Sequence, residues 1–488
     1  MEKILTDGRV FIDEYGRQRI FNGVNLCDKG KFKKGDERKT YELDFDERVI
    51  SRLADNGFNI VRLGIIWDAI EPQPGKYDEE YLDKVQKVAD LCAKYGIYFY
   101  LDMHQDLFAG VDNGAGGDGA PLWACKTGGA EFQPARVVWA EGYFWGRAVQ
   151  NSFTAFWNNE EIDGVPLQTY YFNMWKHVAE RFKDHPALFG FDIMNEPYPG
   201  VDGGKVFRKL IGGAVKTGIF DRRFSVKQAA KNLIHGDVIK CLDPFDDYTL
   251  LREVTKNGDE LIKKFDTGVY SRFIDGAAEA IREVTDNGII MMENSYYSNL
   301  GIPYSTPAVT VNGEREKKLC FAPHAYDFMV DTPAYKYASD SRVGGIFDEH
   351  RRSQQRLDMP LIVGEWGGTS EGTEWLHHIR YLLDKFDSFC WGQTYWAYHD
   401  GLLDSPIMAD LNRTFAKAVT GRIDGYRFDR EKKEYTLEYT QEGKFSEPTV
   451  IYMHAEPVNI EATGKYQIKG KELILKTKPG KNKVVIGY

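Results

Sequence analysis

The chain is poor in cysteine: six occur in 488 residues, at positions 27, 92, 125, 241, 320 and 390, and no two show the C-x-x-C spacing. That scatter argues against a zinc ribbon or a redox dithiol and leaves each cysteine as a reduced packing residue. Long apolar runs are missing as well. None reaches the roughly 18 to 20 residues that cross a bilayer, so no integral membrane segment is expected. The opening "MEKILTDGRVFIDEYGRQ" lacks the apolar core of a signal peptide. As written, the chain reads as soluble and cytoplasmic, or as secreted where a leader has been removed. Positive charge is also in deficit. A formal net charge of -10 disfavours nucleic acid as a partner, because that grip depends on clustered Lys and Arg releasing counterions.

Aromatic residues are abundant instead. The 28 Tyr, 29 Phe and 10 Trp suit a sugar-binding cleft as well as a large core. From residue 20 to about 400, short β-rich apolar runs alternate with segments of helical period, the signature of βα units around a parallel sheet. Eight runs fit strands: 20–25, 58–67, 97–106, 188–196, 288–294, 319–327, 361–367 and 393–400. Plausible helices fall between them at 44–56, 81–95, 169–183, 269–287, 340–357 and 371–385. The expected fold is an α/β (β/α)8 TIM barrel over residues 1–404, whose active site lies at the C-terminal strand ends.

Two connections exceed the usual two to six residues of a βα loop. The first runs from 107 to about 166 and opens with the glycine-rich "AGVDNGAGGDGAPLW"; the second runs from 198 to about 265 and contains "KVFRKLIGGAVKTGIF". Both leave the catalytic side and are expected to wall the cleft. Beyond residue 405, period-two stretches such as "EYTLEYT", "TVIYMH" and "ELILK" predict a C-terminal antiparallel β-sandwich over 405–488.

The chemistry concentrates at the strand ends. "GFDIMNEP" closes the fourth strand on Asn195 and Glu196, and "PLIVGEWGG" closes the seventh on Glu365. Across a barrel mouth, two such carboxyls can protonate a glycosidic oxygen and attack or stabilise the anomeric carbon. His104 and Asp106 alternate with apolar neighbours in "DMHQD", so both project to one side, as hydroxyl-reading groups would. A metal site is the competing reading of that pair. No third ligand of suitable spacing is evident, and neither metal nor cofactor is expected. Glu293 reads as a supporting hydrogen-bond residue, and Asp102 and Asp192 as structural acids.

"NEP" after strand 4, "HAY" after strand 6, "GEWG" at strand 7 and "YWAYHD" at strand 8 resemble glycoside hydrolase family 5. "DMHQD", "GDGAPLW" and the C-terminal β domain look like its endoglycoceramidase and glucosylceramidase-like members. The resemblance spans essentially the whole chain. It implies a retaining two-glutamate hydrolase with Glu196 as acid/base and Glu365 as nucleophile. Arg62 would hold Glu365 anionic and Tyr326 would hydrogen-bond it. Asn195 would contact the sugar 2-hydroxyl, and His324 would support the acid/base. His104 and Asp106 would bind the first sugar, Lys29 would contact it and Trp396 would form its aromatic floor. Trp139 would add a further contact, a role for which Trp145 competes.

The implied substrate is a glycolipid or β-glycoside, cut between glycan and ceramide, with transient contact with lipid surfaces or micelles. An exo-acting β-glucosidase or glucosylceramidase is the alternative, since it uses the same machinery. An endo-β-glucanase fits less well, because those usually lack the C-terminal domain and the long strand 3 insertion. A catalytically silent carbohydrate-binding barrel would not need so complete a set of catalytic residue types.

Overall fold

The structure is a computed structural model that describes residues 1–488 except 37, 114–115, 137, 236–239, 241–242, 331, 333 and 370. Cys241 and part of the glycine-rich run therefore lie outside the described residues. Eight parallel strands form the barrel: β1 (Asn22–Cys27), β2 (Ile60–Ile66), β3 (Tyr98–His104), β4 (Leu188–Asp192), β5 (Ile289–Met292), β6 (Leu319–Phe321), β7 (Ile362–Val363) and β8 (Gly392–Tyr395). Their order is β6-β5-β4-β3-β2-β1-β8-β7. Parallel bridges between Phe321 and Leu361 and between His324 and Glu365 close β6 onto β7.

Alternation along each strand decides what enters the barrel. At the N-terminal end the inward side chains are apolar, including Ile60, Tyr98, Phe189, Ile289 and Ile362. One or two steps further along, the same faces carry Arg62, Asp102 and Glu293, and a register irregularity between Leu188 and Gly190 brings Asp192 inward beside them, all four at most 1% exposed. The barrel thus passes from a dry floor to a charged upper layer within two alternations. That layer supports the catalytic mouth.

The division at residue 404 takes no account of the chain's first residues. Strands Ile4–Asp7, Val10–Asp13 and Gln18–Arg19 join the C-terminal domain, forming a seven-stranded sheet through the pairing of Gln18 and Arg19 with Phe415–Val419. Phe11 from this hairpin packs edge-on against Phe21 and Phe189, with ring centroids 5.5 and 5.3 Å apart, and so plugs the barrel floor. A second, four-stranded antiparallel sheet completes the domain. Tyr435, Leu437, Val484 and Ile486 of that sheet share one core with Phe415, Ile451 and Leu473 of the larger one, which makes the C-terminal domain a sandwich.

The second of the long insertions is largely helical, whereas the first mixes short strands, irregular chain and two helices. The first holds the strand pair Asp106–Val111 and Gly116–Asp118 and the helices Glu141–Trp145 and Arg147–Trp157. The second holds helices Val201–Phe220, Val226–Ile234, Tyr248–Thr255 and Asp259–Phe265. Phe144 stacks on Phe207 with centroids 4.4 Å apart, joining the two insertions beside the mouth. No described helix is long and apolar enough to cross a membrane.

Candidate active site

Glu196 follows β4 in a conformation that few residues adopt. Its φ is +42°, a left-handed backbone that costs a non-glycine residue on the order of 1–3 kcal/mol. The surroundings hold it there: the Glu196 N–H donates to Glu293 Oε2 at 2.7 Å, and Gln105 Nε2 donates to the Glu196 carbonyl at 3.3 Å. The strain turns the Glu196 side chain into the mouth. There, Asn299 Nδ2 donates to Glu196 Oε1 at 2.7 Å, and His324 Nδ1 lies 3.1 Å from the same oxygen. Burial raises the Glu196 carboxyl to about 7, the Asp106 charge adds to the rise, and the Asn299 bond opposes it.

Glu365 comes from the end of β7 and accepts from Arg62 Nη1 at 2.7 Å and from the Tyr326 hydroxyl at 2.8 Å. A carboxylate oxygen of Glu196, one of Glu365 and a ring nitrogen of His324 lie within 4.8 Å of one another. Burial pushes His324 down to about 3, so its ring is neutral at working pH. The ring can therefore bridge the two glutamates without adding charge.

Arg62 organises the layer below. Fully buried, it donates to Asp192 at 3.0 Å, Asn25 at 3.1 Å, Asn195 at 2.8 Å and Glu293 at 2.6 Å, and lies 2.8 Å from Asp102. One cation cannot neutralise four carboxylates, and burial favours the uncharged form of the surplus. Accordingly, burial and mutual repulsion raise Asp192 to about 6 and Glu293 well above its ordinary range, against the pull of Arg62. Asp102, Asp192 and Glu293 thus support the site by ion pairing and hydrogen bonding. Asn195 accepts from Arg62 and donates one amide N–H to the Gln105 carbonyl at 3.0 Å, which fixes its carboxamide on the cleft wall.

The other expected residues gather at one end of the cleft. Lys29 pairs with Asp106 and lies 4.0 Å from Asp118, and its ammonium sits 4.7 Å from the centroid of Trp396. His104 stacks on Trp396 with centroids 5.2 Å apart and is held at Nδ1 by Asp102 at 2.8 Å. Asp118 is 2% exposed, and its Oδ1 makes no hydrogen bond within the chain. Contrary to the expectation from linear spacing, His104 and Asp106 have a third ligating residue beside them, because Asp118 brings a carboxylate within 4.8 Å of both. It arrives from the glycine-rich insertion, where linear spacing gives no warning. The Lys29 ammonium already stands between the two aspartates, so the cluster holds a cation of its own.

Trp139 lines the cleft, whereas Trp145 packs edge-on against Phe207 outside it, at 4.9 Å. The cleft measures about 530 Å³ and changes character along its length. Lys29, His104, Asp106, Asp118 and Trp396 form one end. Val138, Trp139, Phe144, Leu300 and Phe328 contribute apolar surface elsewhere on its wall. Sequence reading missed Asn299, Asp118, Gln105, Leu300 and Phe328. The "GDG" around Asp118 was visible as a loop signal, but Asn299 and Leu300 sit in a short 3-10 turn after β5 that carries no motif.

Comparison with known proteins gives the family. The family model described as cellulase (glycosyl hydrolase family 5) matches residues 12–235 and 255–401, and that of the glycoside hydrolase family 5 C-terminal domain matches residues 413–486. The chain is 26% identical over 486 residues to an endoglycoceramidase of Hydra vulgaris, covering 91% of this chain and 79% of the relative. It is 25% identical over 464 residues to endoglycoceramidase I of Rhodococcus hoagii, covering 92% and 79%. Among solved structures, endo-glycoceramidase II from Rhodococcus sp. superposes with a TM-score of 0.75 at 22% identity over 99% of both chains, which establishes the shared fold. The chain belongs to glycoside hydrolase family 5.

Proposed function

We propose that this hydrolase cleaves, with retention, the β-glycosidic bond that joins the glycan of a glycosphingolipid to its ceramide. One observation carries the reading: a carboxyl pair of retaining separation stands in a cleft with a charged, sugar-reading end and apolar wall segments. Endoglycoceramidases aligned over about nine-tenths of the chain support the same substrate class.

Glu196, protonated near neutrality, acts as the general acid and gives its proton to the departing ceramide oxygen. Glu365, oriented by Arg62 and Tyr326, attacks the anomeric carbon and forms a glycosyl-enzyme bond. Glu196, now ionised, takes a proton from water, and that water displaces Glu365. The neutral His324 ring positions both carboxyls. Lys29, His104 and Asp106 bind the first sugar over Trp396. Asn195 meets its 2-hydroxyl, while Trp139 and the apolar wall meet the lipid, whose natural setting brings the protein to lipid surfaces or micelles.

Incubation with micellar lactosylceramide and glucosylceramide tests the proposal, with ceramide as the expected product. Proton NMR of the first sugar released should show the β-anomer. Prompt α-anomer excludes retention, and absence of ceramide from both lipids excludes the substrate class.

A further inference from the structure

The insertion after β4 carries an exposed face that the catalytic chemistry does not use. Helix Val201–Phe220 buries Val206, Leu210, Gly213 and Thr217 against the protein. At about 100° per residue, these four fall on one side. Ile211, Val215 and Ile219 fall on the opposite side and are 46%, 44% and 66% exposed. Lys205, Lys209 and Lys216 form a third row, also exposed, along one flank between that strip and the buried side. Phe220, the last residue of this helix, is 79% exposed, and Ile234, the last of the next, 84%. A soluble surface rarely leaves so many large apolar side chains aligned unless they meet something.

The charge says what they meet. Residues 201–235 contain eight Lys and Arg against two Asp, within a chain of net charge -10. An apolar strip bordered by lysines is the pattern of a helix lying in the headgroup region of an anionic bilayer. The strip is continuous with the cleft: Phe207, on the same helix, stacks on Phe144 of the cleft wall, and half-exposed Trp145 packs against Phe207.

We propose that this helix docks the protein on anionic lipid surfaces, setting the apolar side of the cleft against the membrane from which a lipid chain is drawn. The proposal deepens the glycolipid reading above and rests on it. Docking itself needs no substrate. The apolar strip enters the boundary between headgroups and acyl chains, and the lysine row lies along the phosphates.

The test is sedimentation of the full chain with vesicles of phosphatidylcholine, alone or mixed with phosphatidylserine, containing no glycolipid. Wild type should partition preferentially onto the mixed vesicles and be released by salt. Each lysine is worth on the order of fivefold in partition. Lys205→Gln, Lys209→Gln and Lys216→Gln together should therefore lose about a hundredfold. Ile211→Ser, Val215→Ser and Ile219→Ser together should weaken binding to both vesicle types. Hydrolysis of a soluble aryl β-glycoside should survive in both variants; the single changes Lys216→Gln and Ile219→Ser replace a triple variant that does not fold.

Wild-type binding that ignores phosphatidylserine overturns the proposal, as do variants that sediment like wild type. A dimer in ultracentrifugation that the serine variant abolishes assigns the face to a second copy and overturns it too. Since no glycolipid is present, failure here leaves the catalytic reading standing, and inactivity on glycolipids leaves docking standing.

Discussion

A carboxylate oxygen of Glu196 and one of Glu365 lie within 4.8 Å of each other across the barrel mouth. Carboxyl groups about 5 to 5.5 Å apart suit direct attack on the sugar, whereas roughly 6.5 to 9.5 Å would leave room for an intervening water. The two carboxyls differ in their surroundings. Arg62 and Tyr326 both donate to Glu365, while Glu196 has burial and the nearby Asp106 charge to keep its proton.

Glu365→Gln should remove detectable hydrolysis, because a neutral amide cannot attack the anomeric carbon. The variant should still join a glycosyl fluoride of inverted anomeric configuration to an acceptor. Steady-state assays with both donors check this, and near-normal hydrolysis would sink the nucleophile assignment.

Glu196→Gln should behave differently, since a general acid matters most for a poor leaving group. Its loss should cost about a hundredfold to ten-thousandfold on natural lipid substrates. An activated aryl glycoside should still form the intermediate and then turn over slowly. Equal losses on both substrates would argue against the acid role.

A pH profile probes the same group from its neighbour. The acid must be protonated, so kcat/KM should fall as pH rises through about 7. Asn299 donates to the charged form of Glu196 and holds its pKa down. Asn299→Ala removes that bond, so the pKa should rise and the basic limb should move to higher pH. A limb that stays in place, or moves down, contradicts the coupling.

Arg62→Met tests the charged layer. Removing one partner from a buried ion network typically costs about 3–5 kcal/mol, because the remaining charges lose their compensation. Asp102, Asp192, Glu293 and Glu365 would be left without Arg62. Asp192 and Glu293 already stand above their ordinary range, and losing the pull of Arg62 would raise them further, so the folded state would take up more protons and the deficit would shrink as pH falls. Urea unfolding at two pH values measures both effects.

The strand ends were legible in the sequence because alternation and local motifs are properties of adjacent residues: "NEP", "HAY" and "GEWG" each stand where the chain leaves the barrel. What brings distant segments together was not. Pairing of Gln18 and Arg19 with Ala418 and Val419 spans about 400 residues, and period-two alternation identifies a strand without naming its neighbour. Asp118 reaches the site on the first insertion and Asn299 on the turn after β5, and both paths depend on tertiary packing, such as the seat of Leu107 and Phe108 at positive φ. The helix at Val201 could be seen as apolar and basic, but which side would be buried depended on where it docked.

The last prediction concerns where the glycan is cut. At the charged end of the cleft the wall is built partly from Gly116 and Gly117, which carry no side chain to cap the first sugar. Gly117 stands at φ +85°, and a Cβ there would come within 2.5 Å of the Ala109 carbonyl oxygen, so this stretch stays bare. Lys29, His104 and Asp106 can read the first sugar's hydroxyls while a second sugar extends past the bare wall. Lactosylceramide should then yield intact lactose and ceramide, in amounts that mass spectrometry finds equal. Reaction with glucosylceramide alone, leaving lactosylceramide untouched, would mean that the wall closes behind one sugar and that the same two glutamates serve an exo-acting enzyme.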